Sequence, residues 1–169
     1  MDGWGRRTYG DPCRGCGFDW EMTVPESVAV VSDIPREYAE LLTDATGEER
    51  YPTLAWSASA YVCHVGDNLR IWAERLVGSV REGRVEVESY DEKALAEARG
   101  YGSIALVAAM WSLGRSVEAW VEAVGQGPRR GTVLVHPERG PLTLGDVVAA
   151  NAHDAFHHGW DIERTLGPV

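Results

Sequence analysis

From Val24 onward, apolar residues recur at the three- and four-residue spacing of a helix face. Val28, Val31, Tyr38, Leu41, Leu42 and Ala45 follow this spacing and predict a first long helix over 25–45, which Pro35 kinks or splits and Gly47 closes. Ser57 is a natural N-cap for a second helix over 58–80, stopped at Gly83. A short helix over 91–99 ends at Gly100 and Gly102. Ser103 then caps a third long helix whose apolar face reads Ile104, Val107, Trp111, Gly114, Val117 and Val121, up to Gly125. The stretch that follows is rich in Gly and Pro around Thr132-Val133-Leu134-Val135, and predicts an extended segment or small hairpin. Thr143, with Asp146 three residues on, approximates a capping box for a fourth helix that runs to about 166 and ends at Gly167-Pro168.

Four long amphipathic helices bury their apolar faces most simply against one another. The predicted fold is therefore all-α: an antiparallel four-helix bundle with a long connection between its third and fourth helices. Residues 1–23 contain Gly, Pro, Arg and two cysteines without a sustained period and form an irregular N-terminal arm. Residues 24–169 form the bundle domain.

Composition narrows the chemistry. Hydrophobic residues make up 44% and charged residues 25% of the 169, as in an ordinary globular domain. No apolar run approaches a membrane span, and the first residues lack the apolar core of a secretory signal, so the expected compartment is the cytoplasm. A net charge of -10 without a basic stripe argues against nucleic acid as a partner. Three cysteines in a reducing compartment do not form a disulfide framework.

The histidines carry the sharpest signal. Three of the five stand in Asn151-Ala152-His153-Asp154-Ala155-Phe156-His157-His158 on the fourth helix. His153 and His157, at i and i+4, share a face and can grip one ion. Three protein ligands with a fourth position open is the usual plan of a catalytic zinc site. His64, on the second helix, is the best supplier of the third ligand, because facing helices of a bundle converge side chains in the core. His158 and Asp161, one turn apart, read either as groups facing the site or as a structural hydrogen bond between helices. Asp67 and Asn68 read equally as ligand-orienting groups or as helix surface. His136, in the Gly- and Pro-rich connection, reads as exposed.

Trp56-Ser57, Cys63-His64-Val65-Gly66-Asp67-Asn68-Leu69-Arg70 and His153-Asp154-Ala155-Phe156-His157-His158-Gly159-Trp160-Asp161-Ile162 together resemble the DinB/YfiT-like family of metalloenzymes, over roughly residues 24–166. The resemblance implies a four-helix bundle and one divalent metal ion, zinc or nickel, held by a His on the second helix and a His-x3-His pair on the last. These map onto His64, His153 and His157. It also implies a small-molecule substrate, and a homodimer is in keeping with it. Relatives include thiol transferases and mycothiol-dependent isomerases. Lys93 is the sole lysine against fifteen arginines, which suggests a high-GC genome and favours mycothiol as the low-molecular-weight thiol. The leading expectation is a metal-dependent thiol transferase or isomerase acting on a small electrophile. A metal-water hydrolase or lyase, or a non-catalytic metal-binding protein, is the alternative.

Cys13-Arg14-Gly15-Cys16 has the spacing of half a zinc ribbon or of a redox pair, but the sequence offers no matching second Cys pair. A second metal there needs ligands from elsewhere, a partner chain included. Cys63 reads as a small core residue. Trp56, Trp72, Trp111, Trp120 and Trp160 fall at helical positions and are expected mostly in the core, with one or two walling a cavity over the metal.

Overall fold

Six α-helices and a two-stranded hairpin are found among the described residues, 5–127 and 131–167, of the computed structural model. They are α1 (Arg6–Tyr9), α2 (Val24–Leu41), α3 (Ala58–Glu82), α4 (Glu92–Arg99), α5 (Leu106–Gln126) and α6 (Leu144–Leu166), with β1 (Leu134–His136) paired antiparallel to β2 (Gly140–Leu142). Residues 1–4 of the arm, and Pro168 after the last helix, lie outside the described residues.

The long helices begin where local chemistry directs them. Ser57 accepts from the Ala60 amide to start α3, and Gly83 ends it. Thr143 and Asp146 exchange a full capping box at the start of α6. Thr23 and Glu26 do the same for α2, which therefore begins at Val24, one residue before the expected start at Pro25. Pro35 does not split α2, which runs unbroken past it. Ser103 does not cap α5. It lies in a 3-10 turn with its hydroxyl on the Gly100 carbonyl, and Ala105 stands at the N-cap without a side-chain bond.

Helix α3 packs most extensively on α5, and α2 on α6; contacts of α3 with α6 and of α2 with α5 close the four-helix bundle. The predicted face of α5 is corrected. Its buried positions are Ala109, Leu113, Ser116, Val117, Trp120, Ala123 and Val124, while Val107 and Trp111 are 78% and 72% exposed. Close approach of backbones selects this face, since a Cβ on Gly66 of α3 would sit 3.5 Å from the Leu113 Cα. Small residues such as Ala109 and Ser116 permit that approach, whereas Trp111 would prevent it. Trp72 and Trp120 are fully buried, and Trp120 donates its indole N–H to Asn151 Oδ1 across 2.7 Å.

His136 is also corrected. It is buried, stacks on Trp72, and accepts the Glu138 amide at Nδ1 (3.2 Å). The extended segment before α4 draws the hairpin onto the bundle, since Val87 and Val135 exchange backbone bonds with Val135 and Val85. The arm belongs to the same core: Cys13, Phe18 and Trp20 are buried with the bundle's side chains. No helix among the described residues is long and apolar enough to cross a membrane.

Candidate metal centre

On α6 two i,i+4 pairs interleave, one residue and therefore about 100° apart. Asp154 and His158 face α3. His153 and His157 face the N-terminal arm. This offset decides which ligands meet.

His64, Asp154 and His158 bring one ligand atom each within 4.8 Å of one another. His64 Nε2 and His158 Nε2 both lie 3.6 Å from Asp154 Oδ1. Cys13, Cys16, His153 and His157 form a separate group within the same limit. The predicted triad of His64, His153 and His157 is thus not assembled. Its α3 member meets the neighbouring pair on α6, because the 153/157 face is turned toward the arm. An Asp-x3-His pair passes for helix surface in a sequence, and two overlapping i,i+4 pairs were its only signal.

The first group fits a divalent ion. His64 is 2% exposed, yet its Nε2 has no hydrogen-bond partner. Leaving such a buried group unsatisfied costs about 1–3 kcal/mol. Two atoms each bound at ~2.1 Å and at tetrahedral angles to one ion stand about 3.4 Å apart, close to the observed 3.6 Å and too short a gap for anything larger. The carboxylate is ionised: burial works to raise Asp154, but the neighbouring imidazole of His64 and the hydrogen bond from Asn68 hold it well below the usual carboxylate range. His64 moves the other way, burial lowering it but Asp154 more than compensating.

Outer partners hold Asp154 and His158. Asn68 Nδ2 donates to Asp154 Oδ2 (2.8 Å), and Tyr90 Oη donates to Asn68 Oδ1 (3.0 Å). His158 Nδ1 lies 2.9 Å from Asp161 Oδ2; since a carboxylate only accepts, the proton sits on Nδ1 and the lone pair of Nε2 faces Asp154. Arg164 reaches the other oxygen of Asp161 at 3.3 Å. His158 is therefore placed among the ligand atoms, and Asn68 and Asp161 among their positioning residues. Asp67 lies outside the centre. It is buried in a network of its own, accepting from Tyr101 Oη (2.6 Å) and pairing with Arg99 (3.0 Å).

Aromatic rings lie against the centre, and a cavity opens at Tyr90, the donor to Asn68. Trp56 lies against His64 with centroids 5.0 Å apart, and Tyr61 against His158 at 5.1 Å. One quarter of the Asp154 side chain remains exposed. The cavity, of 260 Å³, has Trp72, Arg75, Arg139 and Glu92 in its wall.

In the second group, Cys13 Sγ is 3.7 Å from His157 Nδ1. Burial, then the neighbouring His157, pushes His153 down to about 4, and burial lowers His157 as well, so both imidazoles are neutral at neutral pH. The matching pair missing from the Cys13–Cys16 motif lies about 140 residues away, on α6.

Comparison with known proteins agrees with this architecture. Residues 33–162 match the model of a family described as the DinB superfamily. No curated protein matches. Among solved structures, YfiT from Bacillus subtilis, described as a probable metal-dependent hydrolase with an unusual four-helix bundle topology, superposes with a TM-score of 0.73 at 17% identity, over 84% of this chain and 85% of that one.

Proposed function

Since the chain belongs to the DinB superfamily, we propose that it is a metal-dependent hydrolase of a small polar substrate, with His64, Asp154 and His158 as the ligands. The observation that carries this reading is the convergence of two imidazole Nε2 atoms on one carboxylate oxygen, each 3.6 Å from it, with part of Asp154 still open to solvent. Two His and one carboxylate with a free position is a donor set typical of zinc hydrolases. An ion bound there supplies Lewis acidity toward a water and toward a carbonyl or phosphoryl oxygen.

The chain's own residues prepare that chemistry. Asn68 occupies Asp154 Oδ2 and leaves Oδ1 toward the imidazoles. Asp161 keeps the His158 proton at Nδ1. Trp56 and Tyr61 cover the two rings and limit water on that side.

Thiol transfer to an electrophile, the leading expectation from the sequence, rests on resemblance; the same open position would accept a thiolate in place of water. The test is to reconstitute the protein with zinc, nickel or manganese and to assay amide, ester and phosphoester substrates, and electrophiles with a low-molecular-weight thiol. Metal-dependent hydrolysis that is lost in His64→Ala and Asp154→Ala supports the hydrolase. Turnover seen only with thiol would replace it by the transferase reading.

A further inference from the structure

The hydrolytic reading leaves the second ligand group unused. Cys13, Cys16, His153 and His157 come together where the N-terminal arm crosses α6. We propose that these four side chains bind a zinc ion in a closed Cys2His2 site that fastens the arm to the bundle, distinct from the centre at His64, Asp154 and His158.

The donor set and its spacing are those of structural zinc, Cys-x2-Cys on one segment and His-x3-His on a helix. A sulfur at ~2.3 Å and a nitrogen at ~2.0 Å from one tetrahedral ion stand about 3.5 Å apart; Cys13 Sγ and His157 Nδ1 are 3.7 Å apart. The Nε2 of His153, a residue only 5% exposed, has no hydrogen-bond partner. His153 lies in the group with the two sulfurs, and a buried ring nitrogen there has no protein partner to satisfy it.

The arm is shaped around this point. The Cys13 amide donates to Phe18 O (2.9 Å) and the Gly17 amide to Cys13 O (2.8 Å), so that the chain turns back on itself just past the second cysteine. Gly17 makes that turn with φ +77°, a conformation that disfavours other residues. A Cβ on Gly15, between the cysteines, would lie 3.0 Å from His157 Cε1 and 3.1 Å from the Trp160 ring. Only a glycine lets the loop settle so closely over the histidine. Tyr9, Phe18 and Trp20 then pack their rings around His153, at 4.6, 5.4 and 4.4 Å between centroids.

Four protein ligands fill a tetrahedral ion and leave no position for substrate, which marks a structural site, in contrast to the three-ligand centre beside it. Binding releases the thiol protons to solvent and leaves two thiolates on the metal. Apart from His153, the arm meets α6 largely through aromatic rings, and the ion adds four directed bonds to that contact. A redox dithiol is the competing use of Cys-x2-Cys, and Cys13, 2% exposed, is poorly placed to attack a substrate disulfide.

The test uses full-length His64→Ala protein, in which the other centre lacks its α3 ligand, so that failure of the hydrolase reading leaves this experiment intact. Titration with Co²⁺ under reducing, anaerobic conditions is expected to give one equivalent bound with sulfur-to-cobalt charge-transfer absorption and tetrahedral ligand-field bands, displaced by zinc. Cys13→Ser with Cys16→Ser removes the charge-transfer absorption. If that pair unfolds the chain, Cys16→His keeps four ligands and lowers the absorption by about half, one thiolate remaining of two. Cobalt bound without a sulfur band by folded His64→Ala protein overturns the proposal. So does native protein in which both thiols react with a thiol reagent equally fast with and without zinc, or form a Cys13–Cys16 disulfide that zinc does not prevent.

Discussion

Asn68 reaches from α3 to α6 and donates its amide N–H to Asp154 Oδ2 at 2.8 Å, while its own oxygen accepts from Tyr90. The amide is thereby fixed in one orientation and fixes the carboxylate in turn. Asn68→Ala should retain the fold and weaken metal binding at the centre by about 10–100-fold, the usual effect of removing a ligand's outer partner. Tyr90→Phe should do less, since it removes only the support of the support. Competition with a chromogenic chelator measures both.

Loading of the two ligand groups should be separable. Asp154→Ala should lose the metal of the His64 centre and any metal-dependent turnover while retaining the arm's zinc, and His153→Ala should do the reverse for metal content. Elemental analysis of each variant against wild type checks this. Loss of all metal in both would show one shared site instead.

Asp67 is buried, accepts from Tyr101 Oη at 2.6 Å and pairs with Arg99 at 3.0 Å. Burial first, and then the bond to Asp67, hold the Tyr101 phenol well above its ordinary value, so it remains a donor at any pH the protein meets. Asp67→Ala leaves that hydroxyl unsatisfied and should destabilise the fold by about 1–3 kcal/mol. Metal content should not change. Urea unfolding beside elemental analysis distinguishes this structural role from one at the centre.

Burial, then Arg139 and Arg75, lower the pKa of His136 below its ordinary 6.5, and its Nδ1 accepts a backbone amide only when neutral. The unfolded chain takes up a proton at this residue before the folded one does. The stability that the neutral ring contributes is complete above about pH 6.5 and is lost as the pH falls below it. His136→Asn, which offers an oxygen acceptor without a charge, should reduce the loss of melting temperature between pH 7 and 5. An unchanged slope would assign the acid sensitivity elsewhere.

The Gly66 contact makes a prediction whose sign depends on size. An added Cβ would meet Leu113 Cα at 3.5 Å, an ordinary van der Waals distance, so Gly66→Ala should be neutral or stabilise by up to about 1 kcal/mol through helix propensity. Gly66→Leu has no room and should cost about 1–3 kcal/mol. Thermal melts of the two variants test whether the α3–α5 contact is as close as described.

Much of this molecule could be read before its structure. Ser57, Thr143 and Gly83 mark helix ends by chemistry local to a few residues, and the helix order followed from them. Faces were harder. On α5 the bulky apolar residues Val107 and Trp111 point outward while Ala109 and Ser116 are buried, because interhelical distance, invisible in a periodicity, decides which residues fit. The ligands posed the same difficulty. His153 and His157 form an evident pair, but the direction of their face is set by where the arm runs. Asp154 gained its meaning only from the position of α3, and Cys13 and Cys16 from a helix at the other end of the chain.

Asp161 Oδ2 lies 2.9 Å from His158 Nδ1 and 4.0 Å from His157 Nε2, so one carboxylate stands behind a histidine of each group. It cannot turn toward one ring without changing what it offers the other. Were an ion in one group to shift this carboxylate, linkage would require the effect on the neighbour's affinity to be equal in both directions. The group at His64 would then sense how securely the N-terminal arm is seated.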